Sequence, residues 1–525
     1  MASFFIQQFG CRATQTDGAA LERQLLDRGC TPASDPAEAG IVVLNTCTVT
    51  AAADAQARDA IRKLHAQNPT AHLIVTGCYA QRAPEELAAL PGVTHVVGNS
   101  HKTQIPDLII ATHPPSPVGA QHAAPELGTR THPSRPGSPS HIFPPQHSSS
   151  LLPVANLTPD SAIPFHSFLT ESVPTSRPAQ ILIGDIFANS ELLSAPLLGG
   201  EAGHTRPTLK IQDGCNLRCS YCVIPYVRGK SRSLAPDAVI REIKSLTDAH
   251  VAPAPVAHAF LPVRFSAPNP GQPARSNSTP FEPASEATQF TAREIVLSGI
   301  NLGTYGRDLT PRTNLLELLR RILKETALER LRISSIEPQD VTQDLVDLFA
   351  STDRLAEHFH MPLQSGSDRI LSAMHRRYRI AHYARRLELI HDQLPHAAIG
   401  ADVITGFPGE TDADHDATIH FIEQHPFTYL HVFSFSSRPG TPASSLPNQV
   451  SAHIIKSRAR QLRALSDAKS AAFRRSQFGR SLRVLTLHRS EPDQRNAVTP
   501  ALSSNYLKLF VLGAHEPNQW FDTQA

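Results

Sequence analysis

Three cysteines within eight positions, Cys215-Asn216-Leu217-Arg218-Cys219-Ser220-Tyr221-Cys222, carry the strongest chemical signal in this 525-residue chain. They follow directly on the apolar run Leu209-Lys210-Ile211-Gln212. A loop leaving the end of a strand can wrap an inorganic cluster with three thiolates. A [4Fe–4S] cluster has four irons, so three cysteines leave one iron open. The amino and carboxylate groups of S-adenosylmethionine (SAM) can chelate that iron. An electron from the reduced cluster then cleaves the sulfonium to methionine and a 5′-deoxyadenosyl radical. In such a site the cofactor supplies the difficult chemistry and the protein positions it. Structural zinc is the competing reading. Zinc normally closes with four ligands, and no fourth partner stands near this triplet.

Cys11, Cys47 and Cys78 form a second, less obvious set. Each sits just past an apolar run: FIQQFG before Cys11, VVLNT before Cys47 and IVTG before Cys78. In a parallel α/β sheet the loops after the strands gather along one edge, where ligands bind. Three cysteines at three such ends can converge on one metal centre. Three buried free cysteines are the alternative, since cysteine also packs as a small hydrophobe. Cys30 follows a helix stop and lacks this context, so it reads as a packing residue.

Three further stretches stand at strand ends. Ser298, Gly299 and Asn301 follow EIVL, Gln364 lies in Pro362–Gly366 after HFHM, and Gly406 and Glu410 follow ADVIT. Barrel active sites are built from such loops, and glycine permits close backbone approach to a ligand. These residues are candidate SAM contacts.

The elements that must position these groups alternate. Residues 1–110 hold the strand candidates FFIQQFG, IVVLNT and HLIVTG, with helices between them such as Gly18–Arg28. Alternating β and α predicts a parallel sheet. Residues 205–440 hold six more: TLKIQDG, EIVLSGI, RLRISSI, EHFHMPLQ, AIGADVITG and TYLHVFSFS. Six βα repeats predict a complete or partial (β/α) barrel. Residues 441–480 read as a basic helical linker. Residues 481–525 read as a small C-terminal β unit, from RSLRVLTLH and NYLKLFVLG. Segments 111–204 and 251–283 are rich in Pro, Ser and His without apolar periodicity. Such composition cannot bury enough apolar surface to order itself, so both are expected to be disordered insertions.

Composition adds limits. The formal net charge of +2 neither argues for nor excludes a polyanionic partner. Seven cysteines, an odd count in a large chain, make a poor disulfide framework and fit metal binding better. No apolar run approaches the roughly 20 residues of a membrane span, and the N-terminus lacks a basic n-region and cleavage site. A cytoplasmic protein with no membrane partner is expected.

The chain resembles the methylthiotransferases that combine radical SAM chemistry with two iron–sulfur clusters. Gly10-Cys11, Asn45-Thr46-Cys47-Thr48-Val49-Thr50 and Thr76-Gly77-Cys78 match that family's N-terminal domain. Asp213-Gly214-Cys215 through Cys222, Ile224-Pro225, Arg228-Gly229 and Arg232-Ser233 match its radical SAM opening. Leu297-Ser298-Gly299, Ser334-Ser335-Ile336-Glu337-Pro338, Pro362 through Ser367, Asp402 through Glu410 and Arg438-Pro439-Gly440-Thr441 continue the match. Thr14 stands where the family usually has Asn. The resemblance adds Glu337 to the SAM candidates. It implies two [4Fe–4S] clusters, one on each cysteine triplet, together with SAM, an electron donor such as flavodoxin or ferredoxin, and a sulfur donor. It further implies that the N-terminal cluster holds or supplies sulfur, that one SAM methylates it, and that a second yields the radical that takes hydrogen from C2 of an adenine. The stretch Asn45 through Thr50 is most similar to the branch acting on N6-threonylcarbamoyladenosine beside the anticodon, position 37 of tRNA. The branches acting on isopentenyladenosine or on a ribosomal protein aspartate are the alternatives.

Between His453 and Arg483 basic residues far outnumber acidic ones, with only Asp467 opposing them. Lys456, Arg458, Arg460, Arg463, Arg474 and Arg475 are the candidate RNA contacts, since local basic excess is the footprint of phosphate binding. A solvated helix face gives the same pattern. A non-catalytic RNA-binding protein with a structural metal is the reading from outside the enzymes.

Overall fold

A computed structural model describes residues 2–112, 178–189, 192–196, 205–248, 291–488 and 498–525. The chain opens with β1 (Ser3–Gln8), α1 (Arg12–Asp27), β2 (Thr31–Pro32), β3 (Ile41–Thr46), α2 (Ala51–Gln67) and β4 (His72–Gly77). Short helices α3 (Cys78–Arg82) and α4 (Pro84–Ala88) lead to β5 (Val93–Gly98), α5 (Ile105–Thr112) and β6 (Gln180–Leu182). These strands form one parallel sheet in the order β2-β1-β3-β4-β5-β6. All six residues of β3 are buried, as a central parallel strand covered on both faces requires. One expectation fails here. Residues 178–189, read as insertion, belong to the N-terminal sheet through β6, and Ile186 beyond it is buried. Residues 192–196 of the same segment also pack, with Ala195 buried and the Ser194 hydroxyl donating to the carbonyl of Lys210 at 2.7 Å. Residues 113–177, 190–191 and 197–204, and all of 251–283, lie outside the described residues.

The second unit contains β7 (Thr208–Asp213), α6 (Ile224–Arg228), β8 (Arg232–Ser233), α7 (Pro236–Thr247), β9 (Glu294–Gly299), α8 (Leu315–Glu325), β10 (Arg330–Ile333) and α9 (Gln343–Ala350). It continues with β11 (His358–His360), α10 (Asp368–Ala373), α11 (Ile380–Gln393), β12 (Ala398–Thr405), α12 (Asp412–Gln424) and β13 (Tyr429–Ser434). Six parallel strands run β7-β9-β10-β11-β12-β13, with β8 as an antiparallel flap on β7. The β10–β11 seam is held by single bridges such as Ser335 to His360. This is the partial (β/α) barrel expected from the six repeats.

Each strand's alternation sorts its side chains into two layers. Leu209, Ile211, Ile295, Leu297, Leu331, Ile333, Phe359, Ala401, Val403 and Leu430 pack outward in one core with Leu318, Leu319 and Ile322 of α8. The intervening residues therefore face the lumen: Lys210 and Gln212, Glu294 and Ser298, Arg330 and Arg332, His358 and His360, Asp402, then Tyr429, His431 and Phe433. A lumen built of polar and aromatic groups is a site and not a packed core. Several helices start on side-chain caps that satisfy their free N–H groups. Asn314 caps α8, and Thr411 with Asp414 forms a capping box on α12.

Helix α13 (Ala452–Ser476) follows, then β14 (Ser481–Thr486), β15 (Val498–Ser503), β16 (Lys508–Leu512) and β17 (Trp520–Gln524), an antiparallel sheet in the order β16-β15-β14-β17. This unit closes the barrel floor. The Arg332 guanidinium donates to the carbonyls of Ser503 and Ser504 at 3.1 and 2.9 Å. Arg330 lies over Trp520 and Tyr506 stacks on His358.

Candidate active site at the domain junction

The barrel triplet lies in the loop leaving β7. Its fold is fixed from outside the loop: the Ser220 hydroxyl donates to the carbonyl of Ala373 at 2.7 Å, and the Ser220 amide to Met374 at 3.1 Å. Tyr221 packs edge-on against Phe407. The thiols face N–H donors: Leu217 N donates to Cys215 Sγ at 3.4 Å and Arg376 Nη1 to Cys219 Sγ at 3.5 Å. Burial pushes the Cys222 thiol up to about 12, and neighbouring Cys219 pushes it the same way. Three sulfurs that oppose each other's ionisation share one space. Bare, they resist carrying charge together, and a cationic cluster would remove that resistance.

The N-terminal thiols also converge. Cys11 precedes α1, Cys47 follows β3 and Cys78 opens α3. Burial pushes Cys47 up to about 12, with Cys11 and Cys78 next among the causes. Gly10 makes the approach possible: a Cβ there would lie 2.4 Å from Cys47 Cβ and 2.8 Å from its Sγ. Asn99 Nδ2 donates to Cys78 Sγ at 3.6 Å and to the carbonyl of Val227 at 2.7 Å. Cys30 is buried apart from them, among Leu21, Leu25 and Ile109, as its context predicted. Among the described residues, no three His, Cys, Asp or Glu side chains gather closely enough to share a single ion. The chemistry of the donor set, two groups of three thiols with N–H donors aimed at Cys215, Cys219 and Cys78, suits clusters that take three cysteines and leave one iron open.

The N-terminal set borders the segment that follows the barrel triplet. Cys78 packs against Val223 and Val227, the first of which directly follows Cys222. Beside them runs a buried charge network that joins the domains. Asp17 of α1 accepts from Lys102 Nζ at 3.0 Å, from Arg228 at 3.1 Å and from Lys210. Asp213 accepts from Arg228 at 2.9 Å and from Lys210 at 3.1 Å. Burial alone would raise the Asp213 carboxyl, but Arg228, Lys210 and Arg232 outweigh it and hold it far below the carboxylate range. A second latch joins Arg438, past the last barrel strand, to Asp54 and Thr48 of the N-terminal domain.

The barrel mouth beside Cys215 contains a cavity of roughly 210 Å³, lined among others by Asn216, Leu217, Asn301, Arg307, Asp340 and Arg377. Asn301 presents a buried Oδ1 without a hydrogen-bond partner among the described residues. Its amide is fixed by Gln212 Oε1 at 2.7 Å. Ser298 and Gly299 end β9 next to it. Glu337 pairs with Arg376, the donor to Cys219. Gln364 adopts a φ of +63° and its amide donates to the carbonyl of Asp402 at 2.8 Å.

Two sequence patterns match this chain: "Uncharacterized protein family UPF0004" over residues 3–98 and "Radical SAM superfamily" over 280–422. The chain is 30% identical over 481 residues to a threonylcarbamoyladenosine tRNA methylthiotransferase of Aquifex aeolicus, covering 92% of each chain. It belongs to the radical SAM methylthiotransferase family. A tRNA-2-methylthio-N(6)-dimethylallyladenosine synthase of Syntrophobacter fumaroxidans is 29% identical, covering 88% of this chain and 79% of that one. A radical SAM methyltransferase (TsrM) of Kitasatospora setae, solved with cobalamin and a [4Fe–4S] cluster bound, shares the fold. Its TM-score is 0.50 at 13% identity, covering 85% of this chain and 77% of that one. Radical SAM enzymes use a [4Fe–4S] cluster and SAM.

Within this methylthiotransferase frame some expected contacts need correction. The Glu410 carboxylate is engaged by Arg458 at 2.7 Å and by the Gly406 amide at 2.7 Å. A Cβ on Gly406 would strike Ile455 of α13. Gly406 and Glu410 therefore seat α13, while Ser298, Gly299, Asn301, Glu337 and Gln364 stay around the barrel mouth. Arg458 is buried between Glu410 and Asp412, so it is not an exposed phosphate contact. Lys456, Arg460, Arg463, Arg474 and Arg475 are exposed along α13. The charge network escaped the sequence reading. Asp213, Arg228 and Arg232 stood in the matched motifs with no role given to their charges, and Lys210 stood as a lysine within an apolar strand. No helix among the described residues is long and apolar enough to cross a membrane.

Proposed function

We propose that this chain methylthiolates C2 of N6-threonylcarbamoyladenosine at position 37 of tRNA. One observation carries the reading: Cys78 of the N-terminal set, whose three cysteines stand at the ends of parallel strands, packs across the domain junction on Val223 and Val227, directly after the barrel triplet in the loop leaving β7. Cys215, Cys219 and Cys222 would hold the cluster that, with SAM, generates the radical. Cys11, Cys47 and Cys78 would hold a second [4Fe–4S] cluster, the station for sulfur. The choice of nucleoside draws on the likeness to the Aquifex aeolicus protein named for it.

This chain's own residues have definite tasks in that reading. Asn301 Oδ1, unpartnered beside Cys215, is available to a polar group of SAM, with Ser298, Gly299 and Gln364 around the same mouth. Arg376 holds Glu337 and Cys219 together at the triplet. The Asp17–Arg228–Asp213 network fixes how the two domains that carry the thiol sets meet. A preset geometry matters because a radical must meet one C–H bond and not its neighbours. Lys456, Arg460, Arg463, Arg474 and Arg475 would receive backbone phosphates, which position the RNA without reading its sequence. An electron donor such as flavodoxin or ferredoxin and a sulfur donor complete the cycle.

The test is reconstitution under anaerobic conditions with iron, sulfide, SAM, a strong reductant and tRNA. The reading expects about eight irons per chain, four for each cluster, 5′-deoxyadenosine release, and a methylthio group on the threonylcarbamoyl nucleoside. Stoichiometric zinc without 5′-deoxyadenosine would overturn it.

A further inference from the structure

The loop that carries the barrel triplet has two sides. Asn216 and Leu217 line the cavity at the barrel mouth, together with Ser231. Arg218 is exposed and stands outside that lining. Its Cζ lies 5.5 Å from the ring centre of Phe187 and 5.5 Å from that of Tyr226, within reach of a cation–π contact with each. Three segments supply these groups: the loop after β7, helix α6, and the stretch that leaves β6. That stretch is held in place. The Phe187 amide donates to Asp185 Oδ1 at 2.8 Å, Ile186 is buried, and a Cβ on Gly229 would lie 2.4 Å from the Ile186 carbonyl oxygen. Gly229 therefore lets the stretch lie against the end of α6. The Gly229 carbonyl in turn accepts from the Cys215 amide at 3.0 Å. Lys230, the next residue, is exposed. These groups form the outer wall of the loop around the triplet.

The chemistry of this wall suits an acidic partner. Residues 183–189 and 214–230 hold one carboxylate, Asp185, against the exposed Arg218 and Lys230. Neither of those two cations has an ion pair among the described residues. Tyr226 is 43% exposed, and Phe187 is half-buried. Arginine and aromatic side chains are the types enriched where proteins meet, and exposed charge of one sign steers a partner of the other. Cleavage of SAM needs one electron from outside the chain. With SAM on the Asn216 side of the loop, the Arg218 side is the one open to a donor. Electron transfer falls off steeply with distance, so a donor must dock beside the triplet. An exposed tyrosine ring suits a donor that presents the flat edge of a flavin.

We propose that Arg218, Tyr226, Phe187 and Lys230 form the docking surface for a small acidic flavoprotein that reduces the barrel cluster. This rests on the cluster assignment above. The anionic flavin hydroquinone loses one electron and keeps its N5 proton, becoming the neutral semiquinone. The oxidised cluster takes up that electron, and no proton crosses the interface.

The test compares two reductants on the full, cluster-loaded chain with SAM: flavodoxin hydroquinone, which must dock, and dithionite, which need not. Stopped-flow absorbance follows cluster reduction, and calorimetry measures the affinity for oxidised flavodoxin. Reduction of the wild type by flavodoxin should slow by on the order of 10-fold between about 50 and about 500 mM salt, as for a steered encounter. Tyr226→Ser combined with Lys230→Glu should weaken flavodoxin binding and slow its reduction of the cluster by on the order of 10-fold. Dithionite reduction and iron content should stay as in the wild type. Arg320→Glu, an equal charge change at an exposed position of α8, should leave both reductants unaffected. If the double variant loses iron, Lys230→Glu alone carries the comparison. A double variant reduced by flavodoxin as fast as the wild type overturns the docking surface, and so does a wild type that dithionite reduces and flavodoxin does not. A wild type that releases no 5′-deoxyadenosine even with dithionite overturns the cluster assignment itself.

Discussion

Replacing Cys215, Cys219 and Cys222 together by Ala should halve the reconstituted iron and abolish SAM cleavage. The same change at Cys11, Cys47 and Cys78 should halve the iron while leaving SAM cleavage without methylthio transfer. Iron assay and 5′-deoxyadenosine release separate the two cases, and a loss of SAM cleavage in both would mean that the triplets form one functional unit. The six cysteines were legible because their spacing and their places after apolar runs are local properties of the chain. The charge network was not, because it pairs Asp17 with Lys210 and Arg228 across about 200 positions of sequence. Replacing Asp17 by Asn leaves Lys102, Lys210 and Arg228 with one carboxylate fewer in a buried space. Removing one partner from such a network costs about 3–5 kcal/mol. Chemical denaturation should show a loss of that size, and a loss below about 1 kcal/mol would mean that water already screens these charges.

At the scale of elements, the six barrel strands were legible from alternating apolar residues and sit where the runs predicted. The strands that escaped, β2, β5, β6, β8, β15 and β17, are short or follow segments whose composition hides them; β6 gains its order by pairing with β5, a contact that no local pattern announces. β5 also carries a pH dependence. Burial depresses His95 to about 4 from the ordinary 6.5, with His72 pushing the same way and Gln180 opposing. The folded state thus takes up the proton less readily than the unfolded state. Stability is full above pH 6.5 and falls as pH drops from 6.5 toward 4, by about 1.4 kcal/mol for each unit of pKa difference. Thermal melts across that window should show the slope, and His95→Gln should flatten it. In α13 the basic stripe was legible, but its division was not. Arg458 faces Glu410 inside the fold while Lys456, Arg460 and Arg463 face water. Reversing the charge of those three exposed residues should weaken tRNA binding and flatten its salt dependence, with iron content unchanged. Arg458→Glu should instead destabilise the seat of α13, which a melt would register. Unchanged tRNA affinity and salt slope in the triple variant would remove α13 as the RNA platform.

For the whole molecule, the three units work as a closed stack: the N-terminal sheet brings its thiols to the barrel mouth, and the C-terminal β unit seals the floor through Arg332, Tyr506 and Trp520. The order of these units was legible from the alternation of elements; the docking was not, since it depends on contacts such as Arg438 to Asp54 between the barrel end and α2. The central claim is that this stack modifies the threonylcarbamoyl nucleoside of tRNA. The most direct measurement is mass spectrometry of tRNA nucleosides from a strain lacking the gene and from the same strain with the gene restored. The account predicts that the methylthio form of N6-threonylcarbamoyladenosine disappears on deletion, that its unmodified precursor accumulates, and that restoration reverses both, with the methylthio dimethylallyl nucleoside unchanged throughout. Loss of the dimethylallyl product instead, or no change in either nucleoside, would contradict it.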